Sequence, residues 1–347
     1  MQIIDIIVFL KRFFLASIVL LLNSNLGASD KEAFPDSTEA VIVSIIRHTT
    51  MQDYAHAIKQ SRALQEAHPS NPAGYFYEAA TIQSKMLDYE DYSEQKRFFA
   101  LTEKVKKIAN AYLRKSPQSS WPFFYLGGAL GYEGYMMGRD AHYLRGFNRG
   151  WKSIQFLEKA LQADSTNFDL YLGMGSYKYY RSKYSSFVKW MPFVNDERET
   201  GIKMIQRAIR DGRFSKPAAM NGLIWIYIGE ERYVEAKALA DSALTLFPGS
   251  RFFLWGQAAA SVHLKDWQFV QSAYSRILES YRVEGSRSPL NELICHARLA
   301  ESAIHFQQPD KAVSHAQEGL AIKIPKKLRK RAKEFQAIAK KIIDDFK

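Results

Sequence analysis

The chain has one cysteine, Cys295, in 347 residues. No disulfide can close within a molecule, so stability must come from packing, and a lone thiol of this kind reads as a small buried hydrophobe. His296 beside it does not make a base for a nucleophile, because neighbouring helical residues point about 100° apart. Metal and phosphate signatures are also missing. The eight histidines, at 48, 56, 68, 142, 263, 296, 305 and 315, are scattered along the sequence, with no HExxH and no Cys/His cluster. No P-loop and no GxGxxG occur. Gly127-Gly128-x-x-Gly131-x-x-Gly134 is glycine-rich but follows no strand, so it reads as close helix–helix approach. Alternation of apolar and polar residues is rare, which argues against sheets. These absences leave no cofactor and no metal ligand set to expect.

The net charge is +12, but residues 323–347 hold ten Lys/Arg against three Asp/Glu. The rest of the chain is only mildly basic, so nucleic acid is not the expected partner. At the other end, Lys11 and Arg12 precede the apolar run Phe13 to Leu22, followed by small and polar residues to Ala28. This order is that of a secretory signal peptide, 1–28, with a linker over 29–37. The run is short against the roughly 20 apolar residues of a membrane span. Joined to Ile3–Leu10, it makes an uncleaved anchor, and both readings stand. Either one predicts export to the periplasm or cell envelope.

What the chain has in abundance is helical periodicity. In the tract Pro217 to Ser250, Tyr233, Ala236, Ala240, Ala243 and Pro248 fall at positions 17, 20, 24, 27 and 32 of a 34-residue unit. Shifted by 34, Trp267, Tyr274 and Ile277 take the same places. Leu299-Ala300, Ala312, Ala316 and Gly319 recur in a later unit, and Tyr54, Ala57, Leu64 and Pro69 in an early one. Small residues sit where two helices cross closely, and no hairpin can bury its apolar stripe alone. Through these residues the chain resembles the tetratricopeptide-repeat superfamily, over roughly residues 38–326. Glu158 to Asn167 is also similar to the common end of that repeat. The resemblance implies an all-α solenoid of about seven helical hairpins and a binding or adaptor role, without catalysis. Tyr132-Glu133-Gly134 and Gly175 to Tyr180 are similar to a group of exported bacterial repeat proteins, and weakly similar to the tetratricopeptide-repeat 39 and inclusion-body-clearance family.

Units begin near 38, 72, 120, 168, 217, 251 and 293, so three of them carry about 14 extra residues. The extra length falls near 86–99, 134–147 and 182–196, between the two helices of each hairpin, and is expected to form a collar along one edge. Ser93 is expected to cap the helix after the first insertion, and Asn195 or Asp196 the helix after the third. From Lys326 a basic helix with the apolar stripe Leu328, Phe335, Ile338, Ala339 and Ile342 closes the array.

Candidate contact residues follow from position. Trp121, Phe124, Tyr132, Tyr179, Tyr180, Trp225 and Trp255 occupy first-helix positions that line the groove in the superfamily. There they serve either as helix packing or as an aromatic surface for a protein or peptide. Position 5 reads Phe76, Phe124, Leu172, Asn221, Trp255 and Ala297, which is not a carboxylate clamp. Trp190 and Phe193 of the third insertion are expected to contribute contacts from the collar, with Pro192 stiffening the turn. Lys326, Lys327, Arg329, Lys330 and Lys333 are solvated, or they meet an anionic membrane surface. Glu133, Arg139, Asp140 and Glu158 read as structural ion pairs. The alternatives from other classes are a hydrolase-like enzyme with its site in the collar loops and a membrane- or cell-wall-associated structural protein.

Overall fold

The computed structural model describes residues 36–184, 196–285 and 288–346; the segment 1–28, read above as a signal peptide or anchor, lies outside the described residues. Among the described residues the protein is all-α, with fifteen α-helices and no strand. They form seven hairpins. The pairs are α1 (Asp36–Thr50) with α2 (Tyr54–Ala67), α3 (Ala73–Tyr89) with α4 (Gln95–Leu113), and α5 (Ser120–Arg139) with α6 (Tyr143–Ala163). Next come α7 (Leu170–Tyr184) with α8 (Arg198–Asp211), α9 (Lys216–Gly229) with α10 (Tyr233–Leu246), and α11 (Arg251–His263) with α12 (Trp267–Val283). The last hairpin is α13 (Pro289–His305) with α14 (Pro309–Ala321). A 3-10 turn, Lys326–Leu328, then leads to the closing helix α15 (Arg329–Phe346).

The same turn joins the two helices in six of the seven hairpins. Gln52, Glu90, Ala141, Glu231, Lys265 and Gln307 each have positive φ just after a first helix. Five of these helices end with the bond that spans five residues: Asp53 N to His48 O, His142 N to Met137 O, Arg232 N to Tyr227 O, Asp266 N to Ser261 O and Gln308 N to Ala303 O. That left-handed cap satisfies carbonyls that the helix end would leave open. Because it recurs at Glu90 and Ala141 as in the short hairpins, the first two insertions do not lie in the turns. They lengthen the helices: α5 and α6 have 20 and 21 residues, against 14 each in α9 and α10. No proline interrupts the 134–147 stretch, so extending the helices by about two turns apiece satisfies its backbone at once. Ser93 is not the cap expected of it, since α4 starts after Glu94, which makes no side-chain capping bond. Asp196 lies one residue before the N-cap of α8, yet its carboxylate accepts from Arg198 N at 3.1 Å. Trp190, Pro192 and Phe193 lie outside the described residues.

The described residues fall into two compact units, 36–85 with 93–226, and 86–92 with 227–346. The first insertion is therefore divided between the units, and the second lies wholly in the first unit. In the first unit the core is aromatic. Phe76 is ringed by Tyr77, Phe124, Tyr125 and Tyr132, with centroids 5.1 to 5.6 Å away, while Trp121 packs on Phe124 and Phe214. In the second unit the crossings are made by alanine: Ala236, Ala240, Ala243, Ala312 and Ala316 are all fully buried. Without bulk at those points the helix axes come together closely, and larger neighbours fill the space beside them. Ala332, Phe335, Ala339 and Ile342 bury one face of α15.

The second unit also holds a buried ionic knot. Arg251, 1% exposed, donates to Asp88 at 2.6 Å and to Glu284 at 2.6 and 2.9 Å, and lies 4.4 Å from the Tyr281 ring centroid. Tyr281 Oη donates to Asp88, and Asn291 donates to the Asp88 carbonyl at 2.7 Å. Glu90 of the same turn meets Arg331 at 3.0 Å. Burial opposes the Arg251 charge, but Asp88 and Glu284 outweigh it and hold the guanidinium above its ordinary pKa.

Candidate interaction surface

The aromatics selected by repeat position turn inward. Trp121, Tyr132, Tyr179, Tyr180, Trp225 and Trp255 are buried, and Phe124 is half-buried. Their rings meet other rings: Tyr132 stacks on Phe76 at 5.2 Å, Tyr179 meets Tyr180 edge-on at 4.8 Å, and Trp255 meets Tyr274 at 5.9 Å. Burial raises the phenol pKa of Tyr132 well above its ordinary value. As placed, these side chains space the hairpins; only Phe124 offers a partly open ring.

The apolar surface that faces water lies on α6. Tyr143 is 56%, Leu144 88%, Phe147 63% and Trp151 46% exposed. Residues 143, 147 and 151 repeat every four, so they share one stripe down the helix. The reverse of the helix explains why. Its buried residues there are Gly146, Gly150 and Ser153. A Cβ on Gly146 would sit 2.8 Å from Gly134 O of α5, and one on Gly134 2.9 Å from Gly146 O. The two backbones touch, so nothing larger than glycine fits between them, and every large apolar residue of these two turns must point outward. An amphipathic helix normally does the reverse.

The stripe is flanked by cations. No Asp or Glu occurs between Asp140 and Glu158, while Arg145, Arg149 and Lys152 do. Arg149 is committed to buried Glu133 at 3.1 Å. Arg145 and Lys152 form no ion pair among the described residues. With Met137, Asn148 and Arg149 they line a shallow hollow beside the stripe.

Two of the carboxylates singled out in sequence, Glu133 and Asp140, are paired. Glu133 accepts from Thr102 at 2.8 Å and from Lys106 at 2.6 Å. Asp140 pairs with Arg139 at 2.5 Å and accepts from Gln95 at 2.6 Å. Burial raises the Glu158 pKa, and nearby Lys178 opposes that rise. The basic cap is open: Lys326, Lys327, Arg329, Lys330 and Lys333 are exposed, and Lys327 lies 5.5 Å from the Tyr92 ring centroid. The scattered histidines are not all apart in space. His48, Asp53 and His56 meet, and so do His296, His315 and Glu318. This corrects the expectation of unclustered imidazoles: residues far apart in number meet across a hairpin.

Comparison with solved structures shows the same stacking of hairpins elsewhere. The chain is similar to the Cut9–Hcn1 hetero-tetramer of the APC/C, with a TM-score of 0.51 at 14% identity, over 92% of this chain and 57% of that one. The protein has the tetratricopeptide-repeat fold. Two further similar structures are the C-terminal part of a repeat-containing protein from Cytophaga hutchinsonii and yeast Tom70. The former has 17% identity over 84% of this chain and 98% of that one, TM-score 0.43; the latter 12% over 97% and 69%, TM-score 0.42. No protein-family model and no curated protein matches the chain. Within this repeat fold, the α5–α6 hairpin is a lengthened repeat whose added turns carry the outward stripe.

Proposed function

We propose that the protein is a non-enzymatic interaction scaffold, exported to the cell envelope, that holds a protein or peptide partner against the outer face of α6. The observation that carries this reading is the inverted helix: glycines inside, Tyr143, Leu144, Phe147 and Trp151 outside. Large exposed apolar patches mark interaction sites, and aromatic residues dominate the energetics of such contacts. Arg145 and Lys152 favour an occupant that carries acidic residues beside an apolar face. The repeat fold supports the scaffold class, and the pairing of Glu133 and Asp140 speaks against acid–base work by those two carboxylates. The half-buried Phe124 and the third-insertion residues Trp190 and Phe193 extend the same reading to the groove and the collar.

A photo-crosslinking residue at Phe147, expressed in native cells, is expected to trap one protein adduct. The same residue at Val283, which is also exposed, is expected to trap none. Equal labelling at both positions, or none at 147, would remove α6 as the contact face. N-terminal sequencing of the envelope fraction tests export: a product that retains Met1 in the cytosol sinks that part.

The open cations of the cap favour a second contact, with anionic lipid, through Lys326, Lys327, Arg329, Lys330 and Lys333. Reversing Lys326, Lys327, Lys330 and Lys333 to Glu is expected to abolish sedimentation with vesicles of anionic lipid. Unchanged sedimentation discards the membrane contact.

A further inference from the structure

His296 lies on α13 and is buried, while His315 and Glu318 stand three residues apart on one face of α14. The two imidazoles turn the same atom toward each other: Nδ1 of His296 is 3.3 Å from Nδ1 of His315. Glu318 Oε2 is 3.7 Å from His296 Nδ1. Gly319 makes the approach possible, since a Cβ there would lie 3.1 Å from His296 Cβ. The carboxylate is itself held, because Ser314 Oγ donates to Glu318 Oε1 at 3.0 Å and leaves Oε2 directed to the histidines.

We propose that His296, His315 and Glu318 form a binding site for a zinc-class divalent transition-metal ion, with water as the fourth ligand. Tetrahedral zinc with nitrogen ligands at about 2.05 Å places neighbouring nitrogens about 3.3 Å apart, the spacing of this pair. Two imidazoles and one carboxylate are a donor set that zinc accepts, and a solvent-facing fourth position suits the exposed Glu318 edge. Ser314 plays the part of an outer-shell partner that orients a ligating oxygen. Burial lowers the pKa of each imidazole, with Glu318 opposing this at both, and His315 adding to it at His296 as Lys311 does at His315. Neutral nitrogens are the form a metal binds.

The second histidine cluster makes the contrast. His48 Nδ1 and His56 Nδ1 each lie 2.8 Å from a different oxygen of Asp53, which also caps α2. Those nitrogens already have carboxylate partners, whereas Nδ1 of His296 and Nδ1 of His315 have chiefly each other. With one cysteine in the chain, a metal is the means left to cross-link two helices. Here it would join α13 to α14, next to the closing helix.

The test uses the full chain without a histidine tag, stripped by chelator and titrated with zinc chloride at neutral pH. One zinc per chain is expected, with a raised melting temperature. His296→Ala and His315→Ala are expected to abolish saturable binding, and Ser314→Ala to weaken it by about 10-fold or more. His48→Ala is expected to leave it unchanged. Cobalt, taken up in place of zinc, is expected to give the strong visible bands of four-coordinate geometry. No saturable binding by a folded wild-type chain, binding that survives both histidine substitutions, or binding lost with His48→Ala would overturn the proposal.

Discussion

Two segments lengthen their hairpins, and they are used in opposite ways. Residues 86–92 end α3 and bring Asp88 and Glu90 into the charged interior of the second unit, where each meets arginine. The first turns of α6 instead press bare backbone against α5 and leave four large apolar side chains outside. Added length whose polar groups are fully partnered inside is architecture. Added length whose apolar groups find nothing inside is offered to something else. The sign of the mismatch, more than the insertion itself, separates structure from surface.

That contrast can be broken most sharply at Arg251. Arg251→Met leaves buried Asp88 without its guanidinium, and a loss of about 3–5 kcal/mol in urea unfolding is expected. The double variant Arg251→Met with Asp88→Leu is expected to recover part of it, since the more deeply buried carboxylate goes with the arginine and only the partly exposed Glu284 loses its partner. Next in size is Gly134→Val. Its Cβ meets a backbone oxygen that cannot rotate away, so a loss of about 1–3 kcal/mol by thermal melting is expected. A melting curve like that of the wild type would mean that α5 and α6 are not held at that contact.

A smaller effect is expected from acid. His296 and His315 have folded pKa values below those of the unfolded chain. Their contribution is complete above the unfolded value, about 6.5, and is lost as pH falls from there through the folded values. Melting temperature in chelator should therefore fall between neutral pH and about pH 5, and His315→Asn should flatten that dependence. The smallest stability effect belongs to the outer face. Phe147→Ser with Trp151→Ser should stay within about 0.5 kcal/mol of wild type, while crosslinking from Leu144 disappears. A large loss of stability would show that the stripe is core after all.

The hairpin array was legible because its signal is repeated: Ala236, Ala240 and Ala243 sit at the crossing positions of the repeat and are fully buried. The spacing of the units marked 134–147 as extra length, but not its conformation. Sequence length alone does not say whether extra residues enter a turn or extend two helices; the left-handed cap at Ala141 decides it. Aromatic residues at groove positions were legible by type, but their direction was not. Tyr179 and Tyr180 are adjacent, yet both are buried, which requires α7 to be covered on two sides. Tyr143 and Phe147 were visible only as apolar residues of an insertion. Their exposure depends on Gly146 and Gly150 facing α5, a relation between two helices. The pairing of His296 with His315 was hidden for the same reason, 19 residues of separation.

The buried thiol has a practical consequence. Cys295 is fully buried on α13, out of reach of reagents in water. The native chain should therefore be silent to maleimide while folded, and a cysteine installed at Leu144, Phe147 or Lys330 becomes its one accessible handle. Spin labels, fluorophores and solvent-accessibility reagents can then be placed on either candidate face in turn, against no background, without removing a native residue from the core.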